Sequence, residues 1–177
     1  MKTSLTELPG KKSLALLGGL CFFLSTIEYM IPKPMPFMRL GIANLPIMLA
    51  LDIFPFPVYL LLAAIKILGQ ALVTGTLFSY IFLFSLAGTA LSALAMYTLR
   101  RIGRSSISFT GIGIAGAMVS NMAQLVMARV FLFGNAVRFI APWFLAAGVI
   151  TGASLGIFCE LFTRRSQWYA KHRRSSE

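Results

Sequence analysis

Apolar residues run along this chain in long blocks, broken by short clusters of proline, glycine and charge. The blocks predict helices at about 13–31, 41–54, 57–73, 77–99, 109–132 and 138–163. A hydrocarbon core takes roughly 20 apolar residues per crossing helix. A segment in contact with lipid must satisfy its own backbone hydrogen bonds, so each block is expected to be helical. The second and third blocks are the shortest, so full crossings and partly embedded or broken elements are both open for them. Their join, Asp52-Ile53-Phe54-Pro55-Phe56-Pro57, carries two prolines that stop one helix and start the next. The first join, residues 31–39, alternates proline with other residues (Pro32, Pro34, Pro36) and reads as a stiff extended strap. The pattern shows no repeat and no low-complexity stretch.

Composition agrees with this pattern. Of 177 residues, 58% are hydrophobic and 12% charged, and the mean hydropathy is +0.81. That is a polytopic membrane protein, read as one integral membrane domain over 1–177 with a basic tail at 164–177. Six crossings use nearly the whole chain and leave no room for a soluble catalytic domain. The net charge of +11 does not indicate nucleic acid, because the cations sit between apolar runs and form no basic stripe interleaved with aromatics. Their distribution is one-sided. The N-terminus, the 100–106 loop and the C-terminal tail hold eleven Lys and Arg, whereas the opposite loops hold three: Lys33, Arg39 and Arg138. By the positive-inside rule both termini are expected in the cytoplasm and the strap outside.

Charged or amide side chains inside apolar spans are costly and normally face a bundle interior or a watery cavity. Here they are Glu28 at the end of the first helix, Asn44 opening the second, and Lys66 and Gln70 sharing a face of the third. Asn121 and Gln124 stand at i,i+3 on the fifth, with Arg129 beyond. These residues, with Arg39 of the strap, are the candidate substrate-binding set, converging on a pocket beneath the strap. The alternative for Asn121 and Gln124 is hydrogen bonding between helices, and Lys66 can snorkel. Lys66, Arg129 and Arg39 suit a carboxylate or phosphate; Tyr80, Phe82, Phe84, Trp143 and Phe144 offer an apolar lining or interfacial anchors. Glu160 and Arg164 are placed to pair at i,i+4. Cys21 and Cys159 read as packing residues, His172 as a solitary tail residue; no metal site or cofactor is predicted.

Small residues form stripes. Gly111, Gly113, Gly116 and Ser120 give the fifth helix a smooth face, and Gly148, Gly152 and Gly156 do the same for the sixth at i,i+4 spacing. Packing within one bundle is the expected use of both. Ala15 and Gly19 form a small-xxx-small pair on the first helix, available to an external partner.

The strap followed by Met38-Arg39-Leu40-Gly41-Ile42-Ala43-Asn44-Leu45, then Phe84-Ser85-Leu86-Ala87-Gly88 with Ser92 and Met96, then Gly111 to Gln124 with Asn121-x-x-Gln124, resembles the Gx transporter family over about residues 13–160. That family is also labelled heptaprenyl diphosphate synthase component I and is similar to the S components of energy-coupling factor (ECF) transporters. The resemblance implies an all-α bundle of six transmembrane helices in a bacterial cytoplasmic (inner) membrane. It implies a small-molecule pocket near the outer face, and docking onto an ECF transmembrane subunit driven by two ATPase subunits. Ala15 and Gly19 match the small-residue docking motif of S components. The chain departs from the family's pattern at Ser120, where a histidine is usual, and at Lys66, where an arginine is usual.

Prenyl-chain elongation needs Mg²⁺ held by clustered carboxylates. The five acids, Glu7, Glu28, Asp52, Glu160 and Glu177, form no such motif, and there is no Walker A loop. The expectation is therefore a non-enzymatic capture subunit for a small vitamin, cofactor or isoprenoid or quinone precursor. The alternative is a membrane accessory of polyprenyl diphosphate or quinone synthesis.

Overall fold

A computed structural model describes residues 11–31, 41–103 and 106–174, with side chains to 171. The strap with Arg39, the extreme N-terminus and Arg104 lie outside the described residues. Among the described residues the chain is all helical: α1 (Lys11–Met30), α2 (Leu45–Ala50), α3 (Phe56–Val73), α4 (Tyr80–Gly103), α5 (Phe109–Ala128), α6 (Val137–Arg165) and α7 (Gln167–Arg174). Four helical stretches are long and apolar enough to cross a membrane: 11–30, 56–73, 80–103 and the 57-residue stretch 109–165. The last stretch comprises α5 and α6, which reverse direction through a π turn at Arg129–Phe133 and a 3-10 turn at Gly134–Ala136.

Local chemistry sets these boundaries. Pro55 caps α3 in an extended conformation, and Pro57 falls in the first turn, where a missing N–H costs nothing. Gly75, at φ 66°, ends α3. Thr76 N donates to Ala71 O at 3.0 Å, the long bond of a Schellman closure. Ser108 caps α5 by accepting from Gly111 N at 3.1 Å.

The expected second span, 41–54, takes a different form. It is a 3-10 turn at Ile42–Asn44 followed by a helix of only six residues. Pro46 sits in the first turn, and the helix gives way at Leu51–Phe54 ahead of Pro55. All of Pro46 to Leu51 are buried, and a helix apolar on every side belongs inside protein. Irregular backbone is tolerated at membrane depth in that setting.

Neighbouring long helices run antiparallel from α3 to α6. Tyr59 Oη donates to Ala93 O at 3.1 Å and Phe56 meets Tyr97, so the start of α3 lies by the end of α4. A Cβ at Gly18 would meet Ile65, and one at Gly69 would meet Phe22, so α1 and α3 run parallel. The 41–54 segment returns the chain between them. It begins at Glu28, near the end of α1, and finishes at Asp52 beside Arg100, near the end of α4.

The glycine stripes act within the bundle. A Cβ at Gly152 would lie 2.6 Å from Gly113 O, and one at Gly156 2.4 Å from Thr110 Cα. Only glycine permits that approach of α5 and α6. The basic tail contains a further helix, α7, folded back so that Tyr169 is buried.

Candidate functional site

The segment 41–44 roofs an internal cavity. Gly41 adopts φ 79°, a left-handed conformation that glycine takes without steric cost. Gly41 N and Ala43 N donate to Glu28 Oε1 and Oε2 at 3.2 and 3.3 Å. A carboxylate thus holds the otherwise unpaired N–H groups at the start of the turn. Asn44, at the end of that turn, accepts from Lys66 Nζ at 2.9 Å, and Thr89 Oγ1 accepts from the same ammonium at 3.0 Å. Glu28 and Lys66 are both buried. One acid and one base from different helices are therefore joined through the 41–44 turn.

Below this roof the walls come from the middle of α4, α5 and α6: Ser92 and Met96, then Gly113, Gly116, Ala117, Ser120 and Asn121, then Thr151, Gly152 and Leu155. The floor includes Met48 of α2. The glycines that let helices touch also bring backbone to the cavity surface. The cavity holds about 30 Å³, room for about two water molecules. A larger ligand must widen it.

The eight candidate binding residues separate into groups. Glu28, Asn44, Lys66 and Asn121 line the cavity together. Asn121 Nδ2 also donates to Phe144 O at 2.8 Å, bridging α5 and α6. A Cβ at Gly148 would stand 2.2 Å from that nitrogen, so Gly148 makes room for the amide. Gln70 and Gln124 are buried outside the cavity wall; Gln124 Nε2 donates to the wall residue Ser120 at 3.0 Å. Arg129 stands exposed on the π turn. Arg39 lies outside the described residues. Phe84 and Phe144 pack in a small core with Leu125, Ala128 and Val137, whereas Tyr80 and Trp143 face outward. Among the described residues, Ala15 and Gly19 of α1 are exposed, and none lies within 4 Å of a Cβ built at Gly19.

Sequence reasoning passed over Thr89 and Thr151, and used Ser92 only as part of a family pattern. The signal was present: Ser85, Gly88, Thr89, Ser92 and Met96 recur at helical spacing on one face of α4. It also passed over a second polar cluster. Arg100 Nε and Nη2 donate to Asp52 Oδ1 and Oδ2 at 2.7 and 2.6 Å, and Tyr169 Oη donates to Oδ2 at 3.0 Å. Arg100 also donates to Ile107 O at 3.1 Å and lies over the Phe109 ring. This cluster ties the Leu51–Phe54 turn, α4, α5 and α7 at one end of the bundle. The Glu160–Arg164 pair forms as expected, at 2.7 Å. Among the described residues no three of His, Cys, Asp and Glu lie together.

The family profile described as heptaprenyl diphosphate synthase component I matches residues 17–162. No curated protein and no solved structure matches the chain.

Proposed function

The chain belongs to the heptaprenyl diphosphate synthase component I family, and from that membership we propose that it is the substrate-capture subunit of an ECF-type uptake transporter. The observation that carries this reading is the polar cavity at mid-depth of an apolar bundle. A buried acid, a buried base and two amides are an expensive way to fill such a space unless it takes a polar ligand. In this account the 41–54 segment serves as the second of six crossings. Both termini are cytoplasmic, the membrane is the bacterial inner one, and the strap with Arg39 closes the outer side. The ligand is a small vitamin, cofactor or isoprenoid or quinone precursor. It enters beneath the strap, displaces the 41–44 turn to widen the cavity, and leaves inward when a partner forces reorientation.

No catalytic step is assigned to the chain. The exposed Ala15–Gly19 face is where an ECF transmembrane subunit with two ATPases would dock. Affinity capture of the tagged protein from its native membrane tests the assignment. Recovery of a transmembrane subunit with two ATPases is the expected result. Recovery of a soluble prenyl synthase alone would favour the second reading, an accessory of polyprenyl diphosphate or quinone synthesis, to which the family's description points.

A further inference from the structure

Three buried oxygen atoms on α4 and α5 have no hydrogen-bond partner among the described residues: Ser85 Oγ, Ser92 Oγ and Gln124 Oε1. Their residues are 2%, 1% and 1% exposed. Buried polar atoms in folded proteins almost always find partners, ordered water included. Several hydroxyls elsewhere in this bundle donate to the carbonyl four residues back, as Thr26, Thr151 and Ser154 do at 3.0, 3.0 and 2.8 Å, although Ser25 on α1 does not. Ser85 and Ser92 do not. They are therefore turned away from the default partner of a serine in a membrane helix.

The three atoms lie along one seam. Ser92 and Ser120 both open on the cavity. Ser120 Oγ accepts from Gln124 Nε2 at 3.0 Å, which leaves the amide oxygen without a donor. Gly88 faces the same pair: a Cβ there would be 2.8 Å from Gln124 Nε2 and 2.9 Å from Ser120 Oγ. Glycine lets α4 approach this polar pair without a Cβ in between, so the pair faces bare helix backbone; Ser85 lies about one turn farther along α4. The four polar residues of the seam are uncharged, in contrast to Glu28 and Lys66 at the roof.

We propose that the cavity extends along the α4–α5 seam as a hydrated, uncharged branch running from Ser92 through Ser120 and Gln124 to Ser85. This branch receives hydroxyl or amide groups of a small neutral molecule. Gln124 Oε1 can only accept, so the group facing it must present O–H or N–H; the serine hydroxyls serve either role. The inference rests on the reading of the cavity as a ligand site and adds the chemistry of one end of the ligand.

Substituted-cysteine labelling of the full-length protein in detergent tests it. The probe is 2-hydroxyethyl methanethiosulfonate, small and neutral, read by mass spectrometry at each thiol. Cys21 and Cys159, both 0% exposed, serve as dry references within the same chain. Ser92→Cys and Ser85→Cys are expected to label at least about tenfold faster than those references, equivalent to ~1.4 kcal/mol less opening cost. Labelling of Ser92→Cys with Ser85→Cys no faster than Cys21 overturns the branch and leaves the cavity reading standing. Silence at both positions overturns the branch and counts against the cavity reading as well. A second measurement needs no new thiol. In a dry seam, Gln124→Met removes an unsatisfied amide and raises Tm. In a hydrated seam it leaves Tm unchanged or lowers it, so an upward shift overturns the proposal.

Discussion

Asn121 shows how one side chain here serves both packing and site. Its amide nitrogen holds α6 through Phe144 O while its residue lines the cavity. Interhelical hydrogen bonds in membranes contribute about 0.6 kcal/mol on average, so Asn121→Ala is expected to lower Tm slightly and to weaken ligand retention more. Gly148→Ala should act on the same contact, because its Cβ would meet the amide. Added to Asn121→Ala, it should cost little further. A thermal-melt cycle over the four proteins checks this: non-additivity is expected, and plain additivity would remove the steric link. Lys66 is a second such residue. Lys66→Met strands the acceptors on Asn44 and Thr89, an estimated loss of about 1–3 kcal/mol. Urea unfolding of the purified variant measures it. Lys66, Glu28 and Asn121 stood out in the sequence because charges and amides are rare in apolar blocks. Thr89, Ser92 and Thr151 did not, because hydroxyls occur throughout membrane helices as self-satisfied groups. Arg129 looked equivalent to Lys66 in sequence. It is set apart by the π turn, which ends α5 and leaves the residue exposed.

At the scale of elements, the long helices were legible because each fills a block of crossing length between breakers such as Gly75 and Pro55. The 41–54 segment was legible only through its shortness and its prolines, which left it open between a crossing and a partly embedded or broken element, since the apolar run 45–51 reads the same whether lipid or protein surrounds it. Its far end depends on a pairing 48 residues apart, Asp52 with Arg100, that no local pattern announces. Both side chains are mostly buried, at 13% and 12% exposure for Arg100 and Asp52. Asp52→Ala therefore leaves a desolvated guanidinium and removes the acceptor of the Tyr169 hydroxyl. Breaking a buried pair costs about 3 kcal/mol or more; the expected outcome is a lowered Tm and faster proteolysis of α7, both measurable on the purified variant. Tyr169→Phe should release α7 while sparing most of the stability. The glycine contacts differ in kind. Gly152→Ala drives a Cβ into Gly113 O, a backbone atom that cannot rotate aside, so α5 and α6 must separate; Gly19→Ala meets nothing. Size-exclusion profiles should show loss of the folded species for the first and none for the second.

For the whole molecule, charge and hydropathy established a membrane protein, and the packing adds where its polar interior lies. The helices converge their small residues near their midpoints, and the roof is a turn held by Glu28. An outer surface of α1 at Ala15 and Gly19 is left uncovered by the described residues. Gly19→Leu is expected to abolish capture of a membrane partner without changing Tm; unchanged capture would remove that face from the account. If the cavity is a binding site, the protein carries a small molecule out of its own membrane. Native mass spectrometry of the protein released gently from its own membrane tests it most directly, with Lys66→Met and Ser92→Val run beside it. A discrete small-molecule adduct is expected on the unaltered protein, lost or depleted in both variants. An unaltered protein that flies at its bare mass, or an adduct that persists equally in both variants, would contradict the cavity reading.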